Sequence, residues 1–369
     1  MRVLFVTQYG SKAASSRTRV LQYLPYLQQQ GLDTHVITVL PDRAIAGTQI
    51  DVRRQPWRKI SYYLWAAWRT WSCGLRVCWG GFRHDILFIQ KVILPSPLRW
   101  LLRWISAPIV YDFDDAIFTT EIRSGHWLAR LKEARNARGL PAMLSLAQLA
   151  VVENDYTADF AKAHCDVLKI TGPIDTSPYA KHDSTVEPEV TETADSPIVL
   201  GWIGSGSTVA YLELIGPILQ QLAQHYCLRL LVVGATYELP GVDVQCKPWA
   251  LDEEATDLAT CHIGLMPVPD DPWTRGKGGY KLLQYMAGHL PVVAHPVGIN
   301  TQIVEDGSNG FLASDSDTWV KCLTQLCEDP VLRRRMGERG RARVESKYSL
   351  ASQQPRLLNA LRALEATCS

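Results

Sequence analysis

The chain is 369 residues long, with 47% hydrophobic residues, 20% charged residues and a net charge of +1. That length suits two domains, each able to bury its own core, and the composition is that of an ordinary globular protein. A balance so close to neutral excludes a protein whose whole surface is basic, so nucleic acid is not an expected partner.

The nine cysteines are dispersed, with no Cys-x2-Cys pair, which reads as reduced thiols in a cytoplasmic protein. No stretch of 18 apolar residues occurs, and the apolar run after Met1 is too short for a signal peptide; it is expected to be a first strand.

Residues 3–7 read as that buried strand. A loop of small residues follows, then a helix over 17–30 with Val20, Leu21, Leu24 and Leu27 at helical spacing, closed by Gly31. Residues 36–40 make the next strand. This unit opens a doubly wound α/β sheet, whose ligands bind beyond the carboxyl ends of the strands. The loop 10–17 therefore either faces a crevice or is a plain connection.

Residues 53–104 differ from the rest: ten Lys and Arg stand against one acid, Asp85, and seven of the twelve tryptophans fall here. Ile60, Leu64, Ala67, Trp68, Trp71, Leu75 and Cys78 recur at helical spacing. Amphipathic helices of globular domains mostly face the core, so inward packing is the expectation. The charge imbalance keeps open a peripheral membrane contact through residues 57–104, with indoles at headgroup level and the protein at the inner face of a membrane.

Residues 85–90 and 108–111 look like further strands of the same sheet. The second runs into Asp112-Phe113-Asp114-Asp115, three carboxylates that are costly unless solvated, paired or used in chemistry. They could hold a divalent metal, accept a proton or hydrogen bond from a substrate hydroxyl, or cap the next helix. Residues 140–150 read as helix, 151–154 as a strand with its end, 155–163 as a helix and 167–170 as a strand. Residues 181–197, KHDSTVEPEVTETADSP, are polar and aperiodic, a linker.

A second α/β series follows. Residues 198–203 form a strand ending in Gly204-Ser205-Gly206-Ser207, and 211–225 read as a helix containing Pro217. Strands are expected at 228–233, 242–246 and 262–266. Residues 269–295, PDDPWTRGKGGYKLLQYMAGHLPVVAH, then place a glycine-rich basic turn ahead of a short helix over 280–287. Backbone N–H groups freed by glycine and the helix N-terminus suit a diphosphate, with Arg275, Lys277 and Lys281 adding charge. No Walker A pattern fits. Gly204 and Ser205, and the turn Gly298-Ile299-Asn300, would add backbone donors or be ordinary turns. The arginine-rich tail is interrupted by Glu338 and Glu345, a solvated helix face.

The segments RVLQYLPYLQQQG, GPID, LLQYMAGHLPVVAHPVG, IVEDGSNGFLA and DPVLRRRMGERGRARVESKYSL carry a resemblance to glycosyltransferase family 4, a large retaining group of the GT-B fold. The resemblance implies two Rossmann-like domains facing across a cleft. These would be 1–180 on the acceptor side and 198–348 binding a nucleotide sugar, with a helix over 349–369 packing back on the first. It implies transfer of a sugar from a nucleotide-diphosphate sugar to a glycan or lipid-linked acceptor, with retention, no metal and no further cofactor, in polysaccharide biosynthesis.

The chain also departs from the family's pattern. The second glutamate of the family's Glu-x7-Glu pair, which holds the ribose, falls on Gln284, and the first falls on Gly276. The Arg and Lys typical after the second domain's first strand are replaced by Ser205 and a neutral run through Tyr211. Some members resemble this chain in having lysine at the position of Lys281, which with Arg275 and Lys277 could offset that loss. The family's usual His near the fourth strand corresponds best to Asp114, followed by Asp115, which disfavours the metal reading and places these two beside the donor sugar or acceptor hydroxyl. Three readings follow: a sugar transferase, a nucleotide-sugar-binding partner without turnover, and a GT-B epimerase, which the family signatures disfavour.

Overall fold

A computed structural model of the chain describes residues 1–48, 50, 54–119, 127–182 and 196–368. Most of the expected linker, 183–195, lies outside these residues.

Residues 3–6, 86–89 and 230–233 are buried without a break. Such runs are too short for helices and too uniformly apolar for a sheet wetted on one face, so they enter parallel sheets covered on both sides. Among the described residues, β1 (Arg2–Thr7), β2 (Asp33–Thr38), β3 (Ile86–Gln90), β4 (Ile109–Asp112), β5 (Leu149–Val152) and β6 (Asp166–Lys169) form one sheet in the order β2-β1-β3-β4-β5-β6. β7 (Ile198–Ile203), β8 (Leu228–Val233), β9 (Asp243–Lys247), β10 (Ile263–Met266), β11 (Val292–Ala294) and β12 (Gly310–Leu312) form the other, in the order β12-β11-β10-β7-β8-β9. Every pairing is parallel, with Phe5 facing Val36 and Phe88 in register in the first sheet and Gly201 facing Leu231 in the second. In each sheet the first strand lies inside, and the chain leaves it first to one side and then to the other. That reversal is the topological switch point at which ligands of doubly wound folds bind. The expectation of two doubly wound α/β units is borne out.

The chain divides into two compact units. The first comprises 1–173, 276–278 and 353–369, and the second 174–275 and 279–352. The last helix, Leu350–Cys368, thus lends most of its length to the first unit, where Arg362 donates to the carbonyl of Gln30 at 3.3 Å.

Proline corrects two expected helices. The helix expected over 17–30 is instead Ala14–Arg19, a 3-10 turn Leu21–Tyr23 and a new helix Leu24–Gln29 that carries Pro25 in its first turn. The one expected over 211–225 is a 3-10 turn Val209–Leu214 followed by Gly216–Leu222, with Pro217 in its first turn. Proline has no N–H to give and is tolerated where a helix starts, so it restarts each segment. Helix is also absent from 149–150, which open β5; the preceding helix, Trp127–Leu144, has already ended.

The tryptophan-rich segment departs further from expectation. In the C-terminal part of the helix Pro56–Gly81 the buried side is made of small residues, Cys73, Gly74, Cys78, Gly80 and Gly81, together with Val77, while near its start Lys59 is buried and donates to the carbonyl of Gly47 at 3.1 Å. A Cβ on Gly80 would lie 2.5 Å from Leu4 Cδ2, so this stripe of small residues is what lets the helix approach the sheet. The indoles of Trp57, Trp68, Trp71, Trp79, Trp100 and Trp104 are exposed instead, and only Trp65 packs against the core. The expectation of inward-facing tryptophans is corrected.

Candidate active site

In the second unit, β7 runs out at the switch point into Gly204, whose N–H is held by the carbonyl of Val233 at 2.9 Å. Lys281 stands in the first turn of the helix Tyr280–Ala287, its Nζ 4.0 Å from the ring centroid of Trp202 on β7. A Cβ on Gly204 would lie 2.5 Å from that Nζ and 2.6 Å from the indole, so glycine is what allows the ammonium to sit at the strand's end. Lys281 and Gly204, far apart in the chain, are brought together. Ser205 is exposed, its hydroxyl paired with that of Ser207 at 2.8 Å.

The neighbouring turns are shaped by glycine. Gly279 precedes the helix at φ +67°, and Gly298, at φ +55°, approaches Arg275 so closely that a Cβ would lie 2.7 Å from its carbonyl oxygen. Arg275 makes a two-pronged ion pair with Asp270 at 2.6 and 3.0 Å, and that hydrogen bonding holds the Asp270 carboxyl below its ordinary value. Asn300 is buried; its amide donates to the carbonyl of His295 at 3.0 Å and its backbone N–H to Val297 at 3.1 Å, so both donors hold the turn. Gln284 is also buried, its side chain near the hydroxyl of Tyr179. That hydroxyl donates to Glu254 at 2.8 Å, and Glu254 accepts in addition from the indole N–H of Trp249 at 2.7 Å. Burial and Glu254 together hold the Tyr179 phenol far above its ordinary value.

The loop 276–278 belongs to the first unit, where it lies on the carboxyl ends of β4 and β5. A Cβ on Gly276 would overlap that of Ala116 and lie 2.8 Å from its backbone nitrogen. No acidic side chain fits there, which is a physical account of the glycine where the family resemblance leads one to expect glutamate. Gly278 lies so close to Glu153 that a Cβ would overlap the carboxylate. Asn154, whose side chain caps the helix Asp155–Lys162, also donates to the carbonyl of Lys277 at 2.9 Å.

Beneath this loop lies a buried ionic cluster. Arg19 donates to both oxygens of Asp112 at 2.6–3.3 Å, to Glu153 at 3.4 Å and to the carbonyl of Ile170 at 2.7 Å. Burial alone would lower the Arg19 pKa, but the two carboxylates outweigh it and hold the guanidinium well above its ordinary value. Burial raises Asp112 to about 6 against the pull of Arg19, and raises Glu153 from 4.5 to about 8. Asp114 and Asp115 both pair with Lys91, at 2.7 Å for Asp115. Lys91 directly follows β3 at φ +63°, a left-handed conformation rare outside glycine, and the two carboxylates outweigh burial in raising its pKa. The Lys91 ammonium thus lies against both the Asp114 and the Asp115 carboxylates.

Sequence reading missed Arg19, Lys91 and Glu153. The carboxylate run did signal that cations were needed, but Arg19 lies 93 residues from Asp112 and nothing local selects it.

The cluster makes stability depend on pH. Between pH 4.5 and 8 the folded chain keeps on Glu153 a proton that the unfolded chain has released, so stability falls as pH rises through that window. Asp112 acts in the same sense only up to about pH 6. Glu153→Gln is therefore expected to flatten the decline in Tm between pH 6 and 8, read by calorimetry across that range; an unchanged slope would contradict the assignment.

Residues 198–329 match the family described as Glycosyl transferases group 1. No curated protein sequence matches the chain. Among solved structures it is similar to sucrose-phosphate synthase from Thermosynechococcus elongatus, at 14% identity, TM-score 0.65 and full coverage of both chains. It is also similar to Anabaena HepE solved with UDP and glucose, at 16% identity and TM-score 0.63 over 98% of this chain and 100% of that one. A third is α,α-trehalose 6-phosphate synthase from Burkholderia multivorans, at 11% identity and TM-score 0.63 over 99% and 97%. With a group 1 glycosyltransferase domain at 198–329 on the GT-B fold, the chain is a glycosyltransferase.

Proposed function

We propose that the protein transfers a sugar, with retention and without a metal, from a nucleotide-diphosphate sugar to a hydroxyl of a glycan or lipid-linked acceptor. The observation that carries this reading is Lys281 held over Trp202 beside Gly204, at the switch point of the group 1 glycosyltransferase domain. As the bond to the sugar breaks, charge develops on the leaving diphosphate, and a fixed ammonium beside a helix N-terminus stabilises it where a metal otherwise would. Gly204, Ser205 and Gly298 let the donor's phosphates approach the backbone, and Gln284 offers its amide to the ribose. In the first unit, Asp114 and Asp115, kept in place by Lys91, receive the proton or hydrogen bond of the attacking hydroxyl. The solved HepE structures with UDP and with UDP-glucose support a nucleoside diphosphate as the leaving group.

A second reading, a nucleotide-sugar-binding partner without turnover, is favoured by Gly276, whose packing on Ala116 leaves no room for an acid. Nucleoside diphosphate release from a panel of UDP-, GDP- and ADP-sugars, with and without EDTA, separates the two. The transferase reading expects one donor to be consumed at a rate indifferent to EDTA, with the product's anomeric centre by NMR matching the donor's. Binding without release on every acceptor would support the second reading, and loss of turnover in EDTA would overturn the metal-free mechanism.

A further inference from the structure

The outward face of the helix Pro56–Gly81 continues across the helix Ser96–Leu102. Trp57, Leu64, Trp68, Trp79, Phe82 and Trp104 are each 63–80% exposed. On the longer helix the exposed apolar residues, from Trp57 to Trp79, recur at steps of three, four and seven, so they share one face about 33 Å long at 1.5 Å per residue. Gly74 packs so closely on Leu98 that the two helices lie side by side, which aligns Trp79 and Phe82 with Trp100 and Trp104. A cavity of about 540 Å³ opens between these rings.

The charged residues of these two helices are all basic. Arg58, Arg76, Arg83 and Arg103 are exposed, and Arg83 lies 5.0 Å from the ring centroid of Trp79. Across residues 54–104 the only acid is Asp85, and it is engaged by Arg2 through a backbone N–H at 2.6 Å and an ion pair at 3.4 Å. A second copy of this face would bring arginine against arginine. Among the described residues no helix is long and apolar enough to cross a bilayer. Indoles beside arginines fit the boundary between anionic headgroups and acyl chains.

We propose that this face docks on an anionic lipid bilayer, with the helix Pro56–Gly81 lying in the plane of the headgroups, the indoles inserted and the arginines on the lipid phosphates. A lipid chain would fill the cavity between Trp79 and Trp104. The docking is independent of the donor reading, since it uses no nucleotide.

The test is sedimentation of the full chain, without nucleotide, with vesicles of phosphatidylcholine alone or with phosphatidylglycerol added. Binding is expected only to the anionic vesicles at low salt, with release at high salt. Arg76→Glu/Arg83→Glu/Arg103→Glu is expected to weaken it by at least roughly a hundredfold, at about fivefold for each arginine lost. Trp68→Ala/Trp79→Ala/Trp104→Ala should abolish it at unchanged Tm, and in the wild type lipids brominated on the acyl chain should quench tryptophan fluorescence. Absence of binding at low salt would overturn the proposal, as would binding indifferent to salt or to both variants. Self-association of the wild type that the tryptophan variant abolishes would show instead that a second copy covers the face.

Discussion

Lys281→Met is expected to lower kcat/KM for the nucleotide-sugar donor by roughly 10²- to 10³-fold, the usual cost of removing one preorganised group from a developing anion. The Tm should stay close to that of the wild type, because methionine keeps the aliphatic stem over Trp202, where the Nζ now lies 4.0 Å from the ring centroid. The loss should fall mainly on kcat, since the charge Lys281 meets is greater in the transition state than in the ground state. Gly204→Ala should have a similar effect by another route, because its Cβ would have to displace the Lys281 ammonium 2.5 Å away. Steady-state kinetics on both variants checks this; a kcat within a few-fold of the wild type in Lys281→Met would remove Lys281 from the chemistry.

The second large effect is on stability. Arg19→Met leaves Asp112 and Glu153 buried without their cation, and breaking a buried ionic cluster from one side costs about 3–5 kcal/mol. For a unit of this size that is a fall in Tm of roughly 6–20 °C, at about 2–4 °C per kcal/mol. Arg19→Lys should rescue little, because one ammonium cannot reproduce the contacts to Asp112, Glu153 and the Ile170 carbonyl together. Calorimetry on the two variants reads this directly. An Arg19→Met Tm within two or three degrees of the wild type would mean that the cluster contributes little to the fold.

What could be read from the sequence follows from what is local. Apolar runs such as 3–6 and 230–233 announce buried parallel strands, and Gly-rich turns at the strand ends announce the switch points, so both sheets were legible. Helix boundaries at Pro25 and Pro217 were not, because hydrophobic spacing continues across the break while the hydrogen-bond ladder does not. The helix Pro56–Gly81 carries two apolar stripes, one of small residues and one of tryptophans, and periodicity does not say which one faces the sheet. The glycines decide it, since only they let the helix come close. In the site, Lys281 and Gly204 could be named from chain position, but their meeting over Trp202 could not. Asn300 and Arg275 were named for the donor, and the structure shows the first holding its own turn and the second paired with Asp270. Lys91 and Arg19 came only with the fold, because each partner of a long-range ion pair is silent until topology brings the other beside it.

The proposed transfer requires that the second unit bind a nucleoside diphosphate through Lys281. Isothermal titration of UDP, GDP and ADP into the wild type and into Lys281→Met, in EDTA, tests it most directly. One of the three is expected to bind the wild type without metal and the variant at least about tenfold more weakly, a difference of about 1.4 kcal/mol. Binding of none of them, or equal binding by both proteins, would contradict it.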